Sequence, residues 1–156
     1  YATTPTSSTF DEIDSGPPSH SSAIADSSGV IHIAYVGNID PTTRAGDLFY
    51  VRYSAGTRLS NAYRGSSGKH VAPESLDIAL DSNGNPVYSM RWINATGSRG
   101  DLRLYRSTVD GSFSSTQIID PTDTGHFTRM ATFAGKVFHL VYLDLDGATT
   151  YRCVNY

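Results

Sequence analysis

The chain has 156 residues, with twelve Lys and Arg against fifteen Asp and Glu, a formal net charge of −3 and five His. Apolar residues make up 38% and charged residues 17%, with ten tyrosines, which fits one β-rich globular domain long enough for a core. The basic residues are scattered singly and no apolar run reaches the roughly 18–20 residues of a membrane span, so the expectation is no nucleic acid and no membrane partner.

The chain opens on Tyr1 rather than Met, as expected of a processed or trimmed product. Its first predicted strand is Ser7–Asp14, followed by a Gly-Pro-Pro turn and His20. From there one order of events occurs three times. A His (His20, His70, His126) precedes a short apolar strand, a turn, a β-rich run, a polar loop with a second Gly, and a strand carrying Arg52, Arg106 or Arg152. His20 to His70 spans 50 residues and His70 to His126 spans 56. A period of that size signals a repeat array such as a propeller.

In the first repeat the strands are Ser22–Asp26, Val30–Val36 and Gly46–Tyr53, with a weaker fourth around Arg58–Arg64. The second has Glu74–Leu80, a turn through Asn83-Gly84, then Pro86–Trp92, Gly100–Arg106 and Ser114–Ile119. Asn-Gly is among the strongest hairpin signals. The third has Thr128–Phe133, Val137–Leu143 and Thr149–Asn155, and no fourth strand. Ser7–Asp14 mirrors Ser114–Asp120, so the N-terminal strand is expected to close the last blade and cover its edge. No helical period competes.

The expected fold is therefore an all-β propeller of three four-stranded blades. Residues 1–156 form one domain, with repeats at about 21–69, 71–125 and 127–156 plus 1–19. Three blades are fewer than a usual ring, so two chains are expected to join head-to-tail as a six-bladed homodimer. A fragment of a longer propeller is the alternative.

Around Leu102–Phe113 the chain resembles the BNR (Asp-box) repeats of sialidase-like propellers, with Ser107, Asp110, Gly111 and Phe113 as a degenerate match. His70 ahead of its strand is similar to the repeats of propeller polysaccharide lyases. The resemblance implies a propeller acting on carbohydrate. It also implies the arginine triad of sialidases, which the chain does not supply, since Arg44, Arg91 and Arg129 do not recur in register.

The recurring His20, His70 and His126 are candidate ligand-binding residues at one rim of the blades, against a structural role in locking blade spacing. Arg52, Arg106 and Arg152 read as scaffold. His32 and His139 read as packing between blades, and Tyr35, Met90 and Tyr142 as core. Arg91 and Trp92 break the repeat and join a bidentate cation to a flat apolar face, the most sugar-like pair in the chain. The expected function is an extracellular, lectin-like module binding a glycan through these residues. The enzyme alternative is a lyase or glycosidase with His70 or His126 as base and Arg91 as clamp. The third reading is a structural interaction module.

No metal site is expected, although Asp144/Asp146 and Asp120/Asp123 leave calcium open as a weak candidate. The single Cys153 is expected to be a buried thiol, with a bridge between two chains as the sharper reading. Asn94-Ala95-Thr96 fits a glycosylation sequon.

Overall fold

A computed structural model describes residues 20–59, 63–64, 70–93, 100–121, 126–133, 136–144 and 147–155. The strand expected over Ser7–Asp14, the sequon at Asn94, and Asp123 and Asp146 lie outside the described residues.

The first sheet holds β1 (Ser21–Ala25), β2 (Ile31–Gly37), β3 (Asp47–Ser54) and β4 (Thr57–Arg58) in that order, with β5 (Tyr63–Arg64) also on β3. The second is β6 (Val71–Leu80), β7 (Pro86–Ile93), β8 (Gly100–Ser107) and β9 (Phe113–Asp120). The third is β10 (His126–Phe133), β11 (Val137–Leu143) and β12 (Thr149–Asn155). Every pairing is antiparallel, and no ring of sheets closes among the described residues.

The turns explain the strand ends. Asp81 N–H bonds the Asn85 carbonyl while its carboxylate accepts the Asn83 and Asn85 N–H groups at 2.8 Å. Gly84 sits at φ +77°, so Asn83-Gly84 belongs to a three-residue loop rather than a two-residue one. Asp26 organises the β1–β2 turn in the same way, receiving Ser28 N–H at 2.8 Å and Val30 N–H at 2.9 Å.

With the three sheets taken in order as blades 1, 2 and 3, strand alternation gives blade 2 two apolar faces. Leu76, Ile78, Tyr88 and Met90 pack on Ala34, Val36, Leu48 and Tyr50 of blade 1. Ala79, Val87, Leu102 and Leu104 pack on Phe138, Leu140 and Tyr142 of blade 3. Tyr35, Met90 and Tyr142 are buried, as expected.

Two sequence expectations are corrected. His32 pairs with Arg52, and Val87 with Arg106, but the matching His139 pairs with Cys153 while Arg152 pairs with Leu140. The third Arg is therefore one residue out of step and faces blade 2, where its Nη2 lies 3.9 Å from Asp120 Oδ2. Cys153 takes the place of the other two arginines and is exposed, not buried.

Candidate functional site

A cavity of about 410 Å³ lies where the three blades meet, lined by Thr43, Arg44, Glu74, Arg91, Ile93, His126 and Phe127. Each blade contributes: Thr43 and Arg44 from the β2–β3 loop, Glu74, Arg91 and Ile93 from blade 2, His126 and Phe127 from blade 3.

Two irregular strands shape it. The β6–β7 register shifts between Val71 and Leu76, and the β10–β11 register shifts between His126 and Arg129. Such bulges re-aim side chains and gather beside functional sites. In β6 the shift brings Glu74 to the cavity. Ser75 repairs the ladder: its Oγ accepts Arg91 N–H at 2.7 Å and donates to the Ala72 carbonyl at 3.3 Å. In β10 Thr128 turns inward and donates to the Ser75 carbonyl at 3.0 Å, with Ser89 Oγ 3.3 Å from its hydroxyl. Phe127 is thrown outward, 59% exposed, at φ +51°.

Arg44, also at φ +56°, is presented by a loop wound on Asp40, whose carboxylate accepts the Thr42 and Thr43 N–H groups and whose carbonyl accepts Arg44 N–H at 2.8 Å. Left-handed backbone is costly for an aromatic or a long side chain, and such strain concentrates at ligand sites. Two of the four non-glycine residues with positive φ among the described residues line this one cavity.

Arg91 is buried and opens onto the cavity, and in the same lining His126 Nδ1 lies 3.8 Å from Glu74 Oε1. Trp92, next along β7, points to the opposite face of the sheet. Its ring stacks on His70 at 4.7 Å and Tyr105 at 5.6 Å, with the Arg103 guanidinium 5.0 Å above it. The pleat thus divides the Arg91/Trp92 pair between two faces. Of the candidate residues, Arg91 and His126 meet in the cavity, while His20, His70 and Trp92 do not line it.

His70 donates Nδ1–H to the Ile93 carbonyl of its own blade at 2.9 Å, and its carbonyl accepts Ile93 N–H. The His20 carbonyl accepts Val36 N–H in the same way. Glu74 and Phe127 were not singled out by the sequence, and Arg44 stood there only as an arginine out of register. The visible signal for Glu74 is Pro73, which cannot donate to a ladder and marks a break in β6.

The described member of each acidic pair has a turn or packing role. Asp144 caps the β11–β12 turn, accepting Ala148 N–H at 3.0 Å, and Asp120 accepts the Tyr142 hydroxyl at 3.2 Å. No group of three or more candidate metal ligands occurs among the described residues.

Stacked antiparallel sheets with bulged inner strands around a shared cavity define a propeller-like, all-β class. The fold is similar to the α-L-arabinofuranosidase Arb93A from Fusarium graminearum, solved with an iminosugar inhibitor, with a TM-score of 0.60 over 90% of this chain and 14% identity. This chain spans 48% of that chain, about half its length, and at such identity the likeness shows the fold alone. No family model and no curated protein matches the sequence.

Proposed function

We propose that this chain is an extracellular carbohydrate-binding module that holds an acidic saccharide in the inter-blade cavity and works as a homodimer completing a six-bladed ring. The observation carrying the reading is the convergence of Arg44 and Arg91, the His126–Glu74 pair and the outward Phe127 ring on one cavity, drawn from all three blades. Guanidinium groups pair with a carboxylate through parallel hydrogen bonds. Phe127 offers a flat apolar face to the C–H side of a sugar ring, and Glu74 accepts from its hydroxyls. The solved arabinofuranosidase, of similar fold, supports a carbohydrate-related role.

Calorimetric titration with hexuronate oligosaccharides and neutral ones of equal length tests this. Tighter binding of the acidic series is expected, weakened roughly tenfold to hundredfold by Arg91→Ala, the loss of about 1.4–2.8 kcal/mol of charge-assisted hydrogen bonding. Equal affinity for neutral sugar, or indifference to Arg91→Ala, rejects the reading.

A second reading, a uronate lyase, is favoured by His126 lining the same cavity as the two arginines. Neutral His126 would take the proton beside the carboxylate. The C–H electrons would form the new double bond, the glycosidic oxygen would leave with the C–O pair and collect a proton, and Arg91 would offset the charge gathering on the carboxylate. His70 is tied to Ile93 and stacked on Trp92, so the base narrows to His126. Release of unsaturated uronate, abolished by His126→Ala, distinguishes this reading from binding alone. Silence in both assays leaves the structural module.

A further inference from the structure

Blades 1 and 3 carry the same polar couple at the same repeat positions. In blade 1, His32 Nδ1 is 2.7 Å from the Tyr50 hydroxyl, with ring centroids 6.0 Å apart. In blade 3, His139 Nδ1 is 2.7 Å from the Tyr151 hydroxyl, with centroids again 6.0 Å apart. The first couple lies beneath blade 2, with His32 1% and Tyr50 2% exposed. The second lies open, with Tyr151 58% exposed.

The contrast extends along the face. Position by position, Ala34 and Ser89 correspond to Val141, and Tyr50 and Leu104 to Tyr151. Ala34, Ser89 and Leu104 are 0% exposed, covered by the following blade, while Val141 is 42% exposed and Phe133, further along the same face, 72% exposed. At Val141 and Tyr151, therefore, apolar side chains stay exposed at positions that are buried in the two earlier copies. At the other end of the chain, the leading face of β2 presents Ile31, 37% exposed, where the third repeat has the fully buried Phe138. On that leading face Tyr35 and Val51 are already buried within the chain, so one chain leaves exposed the whole blade 3 half of such a contact and the Ile31 end of the other.

We infer that the outer face of blade 3, built on Phe133, His139, Val141 and Tyr151, is an interface that receives the Ile31 face of blade 1 from a second copy of this chain. The inference rests on the ring reading above and names the surfaces that would make it. A contact between two different faces closes when each chain supplies one of each, so two copies share two identical seams. This chain spans 48% of the solved arabinofuranosidase of similar fold, about half its length. Burying the aromatic anchors supplies the hydrophobic driving force, and an Arg placed there has no partner in the seam.

The test is the mass of the 156-residue chain in solution by sedimentation, with Tyr151→Arg and Ile31→Arg variants checked for unchanged folding by circular dichroism. The expected result is twice the 16.8 kDa chain mass, with a dissociation constant weakened more than tenfold in each variant. Mixing the two variants is expected to restore a heterodimer through the one seam left intact. Cys153, exposed on the same face, gives a second readout: its reaction with a maleimide is expected to slow as protein concentration rises.

A wild-type chain that stays monomeric overturns the inference. A dimer that survives Ile31→Arg but not Tyr151→Arg overturns it too, because that contact joins two copies of the blade 3 face. Acidic-sugar binding measured on Tyr151→Arg, which does not line the cavity, separates failure of the interface from failure of the site.

Discussion

At the scale of single residues, the site depends on a glycine that carries no chemistry. A Cβ on Gly100 would lie 2.8 Å from both Cγ and Nε of Arg91 and 3.0 Å from the Trp92 carbonyl oxygen. The Arg91 side chain therefore lies against bare backbone at the start of β8, and only glycine leaves it room. Because the nearest atoms belong to a flexible side chain, Gly100→Ala is expected to push Arg91 aside rather than unfold the sheet. Acidic-sugar affinity should fall about tenfold while the thermal midpoint moves by only a few degrees, the shift that about 1 kcal/mol produces. Titration calorimetry and a melting curve check both, and unchanged affinity would show that Arg91 needs no such seat. Arg91 itself was legible as a break in the repeat. Its partners were not, because Glu74 and Phe127 reach the cavity only through strand irregularities that no alternation pattern announces.

At the scale of elements, turns and strand order were readable because Asp and Gly recur where the chain must reverse, and periodicity switches with the strands. The displaced third arginine was readable too. Arg52 lies six positions after Gly46 and Arg106 six after Gly100, but Arg152 lies five after Gly147, and a shift of one residue flips a side chain to the other face. What the pattern could not show was which turn would be electrostatically important. Asp26 accepts the Ser28 hydroxyl at 2.7 Å along with two backbone N–H groups, which holds its carboxyl down at about 2, below the ordinary 3.8. Its second oxygen lies 3.4 Å from His32 Nε2. Burial pushes the His32 imidazole below its usual 6.5, and the nearby Asp26 offsets this only in part.

Both shifts make the fold weaker in acid. Below pH 6.5 the unfolded chain takes a proton on His32 that the buried ring resists. From 3.8 down to about 2, the stabilising charge on Asp26 is lost, having been fully present above that range. Chemical unfolding followed from neutral pH to pH 2 should show stability declining through both windows. The difference between wild type and Asp26→Asn should shrink through the lower window, and a constant difference would refute the role given to Asp26.

At the scale of the whole molecule, three sheets need more than apolar faces to keep one relative position. Asp77, buried on the innermost strand of blade 2, supplies a polar tie to both neighbours. Its Oδ1 accepts the Ser22 hydroxyl of β1 at 2.5 Å, and its Oδ2 accepts the Met130 N–H of β10 at 2.7 Å. A carboxylate suits this place because it accepts on both oxygens at once, whereas an amide accepts on one. Asp77→Ala leaves a backbone N–H without its acceptor at the join of three blades, a loss on the order of 3 kcal/mol against a domain stability of roughly 5–15 kcal/mol. Asp77→Asn keeps one bond and is expected to lose about half as much. Urea unfolding followed by tryptophan fluorescence, which reports Trp92 in blade 2, and by far-ultraviolet circular dichroism, which reports all the strands, measures both. If the carboxylate is what makes the blades cooperate, the two signals coincide in the wild type and separate in Asp77→Ala. Coincident transitions in that variant would assign cooperativity to the apolar faces on either side of blade 2 instead.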